Sequence, residues 1–231
     1  MSVTALSTPL ALQTLLAHPA LWRGSPLAND ARPVLATGWP QLDAVLPGAG
    51  WPLGSLIEVA IAAPGSGECA LFLPALVAAS PAPMALIDPP FLPYAPGWQQ
   101  AGIDLSQLWW VSVGAERDGW WAAEQILRSR VCRAVLFWPQ RLTDHAERRL
   151  QLAAVAGGSI GLCFRSQAEL DRPSPAPLRL RLAATPTHWQ VDLLKCRGRS
   201  GGARVLLPRS AGSAVPTLAG VRGDSLARVG G

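Results

Sequence analysis

Five short apolar runs, separated by amphipathic stretches of helical length, constrain this chain more than any other feature. Strand-like runs lie at 56–62, 83–88, 108–113, 134–138 and 159–165. The stretches between them predict helices over 69–79, 94–101, 119–129 and 143–156, with Pro74 an awkward interior residue in the first. Strands that are apolar throughout are covered on both faces. Alternation of such strands with helices gives a parallel sheet. The segment "PLRLRLAATPTHWQVDLLKCR" reads differently. Leu178, Leu180 and Leu182 alternate with Arg179 and Arg181, and Trp189, Val191 and Leu193 alternate after a Thr-Pro-Thr turn. That pattern predicts an antiparallel hairpin with one buried face. The expected fold is α/β: a mostly parallel twisted sheet flanked by helices, then a C-terminal β-hairpin and a basic tail. No internal repeat is visible.

With 231 residues, 49% hydrophobic and 15% charged, the chain can bury the core such a sheet needs. No apolar run reaches the roughly 18 residues of a membrane-spanning helix. The N-terminus lacks the basic and apolar regions of a secretory signal. Cys69, Cys132, Cys163 and Cys196 are widely separated, with no metal-ligand spacing. They read as free thiols in a reducing cytoplasm. His18, His145 and His188 are isolated, so neither a metal centre nor a histidine-based catalytic site is expected.

The charge is unevenly placed. From Lys195 onward stand seven basic residues and one acid, Asp224, a net of +6 that accounts for the whole formal charge of +5. A basic, Gly/Ser-rich end suits an acidic partner, nucleic acid or protein, or else a solvated terminus. Within it, Val215, Leu218 and Val221 form the main apolar cluster and the expected docking stretch.

The first apolar run leads into "APGSGECAL" (63–71), a glycine loop in the position of a phosphate-binding loop. Gly-x4-Gly-Lys-Ser/Thr would set its fixed residues at 62, 67, 68 and 69. Those positions hold Ala62, Gly67, Glu68 and Cys69. A working loop cradles phosphates with backbone N–H groups, reaches them with Lys and binds Mg²⁺ through Ser/Thr. Glu68 brings the wrong charge, Cys69 is a poor ligand for a hard cation, and Lys195 is the chain's one lysine. Gly65 and Gly67 are accounted for by a tight strand-to-helix turn.

The segment before the loop carries a resemblance. Thr37, Gly38, Leu42, Asp43, Leu46, Gly48, Gly50, Pro52, Gly54 and Glu58 fit the TG-x3-LD-x2-L-x-G-x-G-x-P-x-G pattern that runs into the first strand of RecA-like recombinase cores. The resemblance continues through Asp88, at the end of the second run, to the hairpin ending "DLLKCRGR". It implies a RecA-like core over 33–200 with a degenerate P-loop; a helix expected at 9–17 makes 1–32 an N-terminal helical segment, and the Gly/Ser/Arg composition makes 201–231 a flexible basic tail. The family's catalytic glutamate falls at Pro90 and its Walker B acid near Trp138, so the resemblance implies neither ATP hydrolysis nor a nucleotide cofactor. An active ATPase of the RecA group is the reading these departures oppose.

Two groups of inactive RecA-like proteins remain. Length, 19 Arg to one Lys, the intact upstream segment and the Arg/Gly tail resemble the ImuA family of SOS-mutagenesis accessory proteins. That resemblance implies a non-catalytic role in error-prone translesion DNA synthesis. The implied partners are ImuB, RecA and a DnaE-type polymerase, with direct DNA contact left open. The alternative is the related cell-division inhibitor SulA, which binds FtsZ. Lys195, Arg197 and Arg199 lie where recombinase cores carry cations that reach a neighbour's ATP, which implies a filament-capping contact with RecA. Ten tryptophans include the pairs Trp109–Trp110 and Trp120–Trp121. Burial is expected for most. On one strand, however, adjacent rings point to opposite faces, and one meets solvent or a partner unless both faces are covered.

Overall fold

A computed structural model describes residues 33–170, 172–197 and 201–209, with only the backbone of Glu116. The helix expected in the N-terminal segment, Arg199, and the stretch of Val215, Leu218 and Val221 lie outside the described residues.

Strands β1 (Val34–Leu35) and β2 (Trp51–Pro52) form a small antiparallel pair. The main sheet contains β3 (Ser55–Ile61), β4 (Met84–Ile87), β5 (Leu108–Val111), β6 (Ala134–Phe137), β7 (Ile160–Ser166), β8 (Leu178–Ala184), β9 (His188–Cys196) and β10 (Arg204–Pro208). Its order is β10-β9-β8-β3-β7-β6-β4-β5. From β8 to β5 every pairing is parallel; β9 and β10 are antiparallel additions.

Helices α1 (Pro40–Asp43), α2 (Leu73–Ala78) and α3 (Ala95–Gln100) cover one face, and α4 (Glu116–Arg128) and α5 (Asp144–Gly157) the other. Alternation along the strands divides the core accordingly. Ile57, Val59, Leu86, Leu136, Leu162 and Leu180 pack with Leu42, Leu73 and Trp98. Leu56, Ala85, Ile87, Val135 and Cys163 pack with Ala123, Leu127, Leu150 and Ala154. Both halves are apolar because both faces are covered, which is why the strands read as continuous runs.

The five expected strands are present within one or two residues of their expected limits, and the hairpin buries Leu178, Leu180 and Leu182 on one face as anticipated. Two expectations are corrected. The helix expected over 69–79 is only Leu73–Ala78, preceded by turns through residue 72. Pro74 sets that limit: without an N–H it fits the first turn of a helix and not its interior. Arg204–Pro208, assigned in the sequence to the basic tail, forms edge strand β10, with Val205 and Leu207 buried.

The upstream motif is a local fold device. Asp43 accepts from the Thr37 N–H at 3.0 Å, and Thr37 Oγ1 accepts from the Trp39 N–H at 3.0 Å. A Cβ on Gly38 would lie 2.4 Å from Pro74 Cβ, so only glycine lets this turn meet α2. Asp43 and Thr37 thus seat α1 on the sheet, and the motif marks architecture.

Candidate functional site

Strand β3 delivers the glycine loop to the carboxyl end of the parallel strands, where ligands of open α/β sheets bind. Gly65 and Gly67 have φ of 81° and 95°, a left-handed conformation that favours glycine. A Cβ on Gly65 would meet Phe91 at 2.9 Å, and one on Gly67 would meet Trp189 at 3.3 Å. Aromatic rings therefore press on the loop from both sides.

Glu68, at the position of the phosphate-binding Lys, is buried. Its side chain folds back into the loop, where Oε1 accepts from the Gly65 N–H at 3.0 Å and from Trp138 Nε1 at 3.1 Å. Trp138 follows β6, near where the resemblance puts the Walker B acid, and its ring stacks on Phe164 with centroids 4.9 Å apart. Two departures that the sequence presented separately are thus one contact. The carboxylate takes a loop N–H that a phosphate oxygen would otherwise accept, and an indole donor stands where the Mg²⁺-binding acid would be. The helix that would add its dipole at the loop begins only at Leu73. Burial and the neighbouring Glu68 charge push the Cys69 thiol well up, so it stays protonated. Ala62 is exposed at the strand end, and Pro90, with no side-chain base, lies between this loop and the next cavity.

That cavity, of about 560 Å³, opens over the ends of β3, β4, β6 and β7. Asp88 stands in its wall with φ 42°, and its Oδ1 accepts from the Val113 N–H at 2.9 Å. Burial raises the Asp88 carboxyl above its ordinary range, against the lowering effect of the Val113 bond. Arg165, also in the wall, is paired with Glu147, Glu169 and, at 3.6 Å, Glu58. Glu58 is held in turn by Arg179 at 3.0 Å. This buried ionic network shows no period and was not foreseen. The one available signal was Arg165 and Glu58 inside otherwise apolar strands.

The other expected site residues lie elsewhere. Lys195 and Arg197 are exposed at the far end of β9, the end that pairs with the start of β8, and so at the opposite end of the sheet from the loop. Lys195 Nζ donates to the Ser174 carbonyl at 2.7 Å. The tryptophan pairs divide by position. Trp109 and Trp110 are 41% and 47% exposed because β5 is an edge strand, and Trp121 is 62% exposed on the outer side of α4. Trp120 is half-buried beside the cavity. Among the described residues, no group of three or more His, Cys, Asp or Glu could hold a metal ion, and no helix is long and apolar enough to cross a membrane.

No family model matches the chain, and no curated protein matches it in sequence. Solved structures do. The chain is similar to the RadB recombinase at 18% identity and a TM-score of 0.60, over 78% of this chain and 97% of that one. It is also similar to SulA from Pseudomonas aeruginosa at 21% identity over 48% of this chain and 97% of that one, with a TM-score of 0.40, too low to argue from. The RadB likeness, with the strand order and the helices on both faces, shows a RecA-like fold.

Proposed function

We propose that this chain is a non-catalytic, cytoplasmic accessory protein of SOS-induced error-prone translesion DNA synthesis, of the ImuA kind. It joins ImuB and a DnaE-type polymerase and meets RecA. One observation carries the non-catalytic part. The glycine loop holds its own carboxylate, Glu68, on the Gly65 N–H and the Trp138 indole. Lys, Ser/Thr, the Walker B acid and the catalytic Glu are all replaced, so charge neutralisation, Mg²⁺ binding and water activation each lack a side chain. A RecA-like body without that chemistry acts by presenting surfaces. The intact upstream motif, the length and the Arg-rich composition support the ImuA kind over the SulA kind.

Candidate surfaces are exposed Trp109 and Trp110 on edge strand β5, Lys195 and Arg197 at the end of β9, and the apolar Val215, Leu218 and Val221 of the tail. Aromatic residues exposed on a sheet edge are common anchors of protein interfaces. Pull-down of the purified chain with ImuB and with RecA tests the reading, alongside calorimetric titration with ATP and Mg²⁺. Capture of ImuB with no saturable ATP binding is expected. Micromolar ATP affinity, or capture of FtsZ in place of ImuB, would overturn it. Replacing Lys195, Arg197 and Arg199 together by Ala should weaken RecA-filament binding about tenfold and spare ImuB, since desolvated charge-assisted contacts are worth roughly 1.5–3 kcal/mol.

A further inference from the structure

The cavity beside the glycine loop offers phosphates no unpaired cation in its wall. The charged side chains that line it or the loop, together with those ion-paired to them, are Asp88, Glu68, Glu58, Glu147 and Glu169 against Arg165 and Arg179. The cavity wall itself holds one acid, Asp88, and one base, Arg165; Glu58, Glu147 and Glu169 enter only as the partners of Arg165. Arg165, the one cation in the wall, is enclosed by three carboxylates and has nothing left for an anion. Glu68 Oε2, in the neighbouring loop, is buried with no hydrogen-bond partner among the described residues.

The rest of the lining says which cation fits. Trp120, Phe137, Trp138 and Phe164 supply flat apolar surfaces around Asp88. Asp88 Oδ1 is engaged by the Val113 N–H, while Oδ2 lies over Gly119, where a Cβ would come within 3.3 Å of it. Glycine there leaves Oδ2 uncovered, and Oδ2 accepts no hydrogen bond among the described residues. Asp88 has a left-handed φ, which Asp adopts more readily than most residues and which Ala49 and Arg130 share. Guanidinium is planar, weakly hydrated and stacks on indole while donating to a carboxylate, whereas ammonium is compact and strongly hydrated. Arg209 of this chain makes the stacking half of such a contact, its Cζ 5.4 Å from the Trp189 ring centroid, while its Nη1 donates to the Thr185 carbonyl.

We propose that this cavity is a receptor for an arginine side chain presented by a protein partner, with Asp88 as the anion and Trp120 and Trp138 as walls. A volume of about 560 Å³ takes the whole side chain with its flanking backbone. That a protein bears the guanidinium rests on the accessory role above; the guanidinium site itself does not.

Titrating the full chain with N-acetyl-L-argininamide, read from the indole N–H resonances of Trp120 and Trp138, tests the site without any partner protein. Saturable shifts are expected, with none from the neutral isostere N-acetyl-L-citrullinamide. Asp88→Asn keeps the shape and tolerates the left-handed backbone, and should weaken binding at least tenfold. Gln140→Lys places a cation on the exposed rim without touching the core and should weaken it similarly. No shift with argininamide, affinity in both variants unchanged from that of the parent chain, or stronger shifts of the same indoles with inorganic triphosphate would overturn the proposal. Failure of the ImuB pull-down alongside saturable argininamide binding would overturn the accessory role and leave the site standing.

Discussion

Trp138 Nε1 donates a 3.1 Å hydrogen bond to Glu68 Oε1 across 70 positions of sequence, joining the end of β6 to the glycine loop after β3. The resemblance to RecA-like cores puts a phosphate-binding Lys at the position of Glu68 and the Walker B acid near Trp138; here each residue is the other's partner.

Trp138→Phe removes the donor and leaves a buried carboxylate oxygen with one bond fewer. The expected cost is about 1–3 kcal/mol, a fall in melting temperature of several degrees. A double-mutant cycle with Glu68→Gln should give a coupling above about 0.5 kcal/mol. Strict additivity would show that the contact carries no energy.

Rebuilding the loop should not rebuild an enzyme. Glu68→Lys with Cys69→Thr restores the phosphate-binding pair, but Pro90 and Trp138 still stand where the base and the Walker B acid belong. ATP turnover should stay at background. The melt should fall, because the new ammonium would face the Trp138 donor in a buried site with no acceptor between them. Measurable turnover would mean another residue activates water.

Asp192 clamps three strands. It accepts from Arg181 on β8 at 2.6 Å, from Arg204 on β10 at 2.6 Å and from Gln190 beside it on β9. Burial alone would raise its carboxyl, but the hydrogen bonds from Arg204, Arg181 and Gln190 outweigh it and hold it below the ordinary range. A depressed folded-state value stabilises the protein above the unfolded carboxyl's pKa, and that share is lost as pH falls through the folded value, below about pH 4. Asp192→Ala should therefore flatten the acid limb of the stability curve. Both arginines are partly exposed, so the cost is expected to be only about 1–2 kcal/mol. Amide exchange at Val205 and Leu207 should speed up. Unchanged protection there would mean that β10 is held by its ladder alone.

Arg209 roots the tail: it stacks on Trp189, and Nη1 donates to the Thr185 carbonyl. A chain ending at Arg209 should melt like the full-length protein, because Gly212, Gly220, Gly223 and the other small residues beyond it offer little apolar area for a packed segment. A chain ending at Pro208 should lose about 1 kcal/mol, read as a fall of a few degrees. Equal melts for the two would remove Arg209 from the packing.

The strands were legible because burial on both faces writes a local signature, apolar residues at odd and even positions alike such as Leu56, Ile57, Val59, Ala60 and Ile61, that needs no knowledge of neighbours. The hairpin was legible for the opposite reason, one buried face alternating with Arg179 and Arg181. Strand β10 was not, since "RVLLP" is short and sits among Gly, Ser and Arg that read as a tail. The start of α2 was missed by four residues because an apolar stretch fits turn and helix alike, and only Pro74 separates them.

By itself the sequence determined the α/β class and the place of the glycine loop, with Glu68 and Cys69 where a phosphate-binding loop carries Lys and Ser/Thr, since these depend on residue type at fixed spacing. Only the tertiary structure decided what took their place. Strand order sets β6 two places from β3 and so brings Trp138 to Glu68. It leaves β5 at an edge with Trp109 and Trp110 exposed, and it brings Asp88 and the carboxylate-paired Arg165 into one cavity wall. Hydrogen bonds and ion pairs between residues far apart in sequence leave no periodic trace, so they become visible only when the chain has folded.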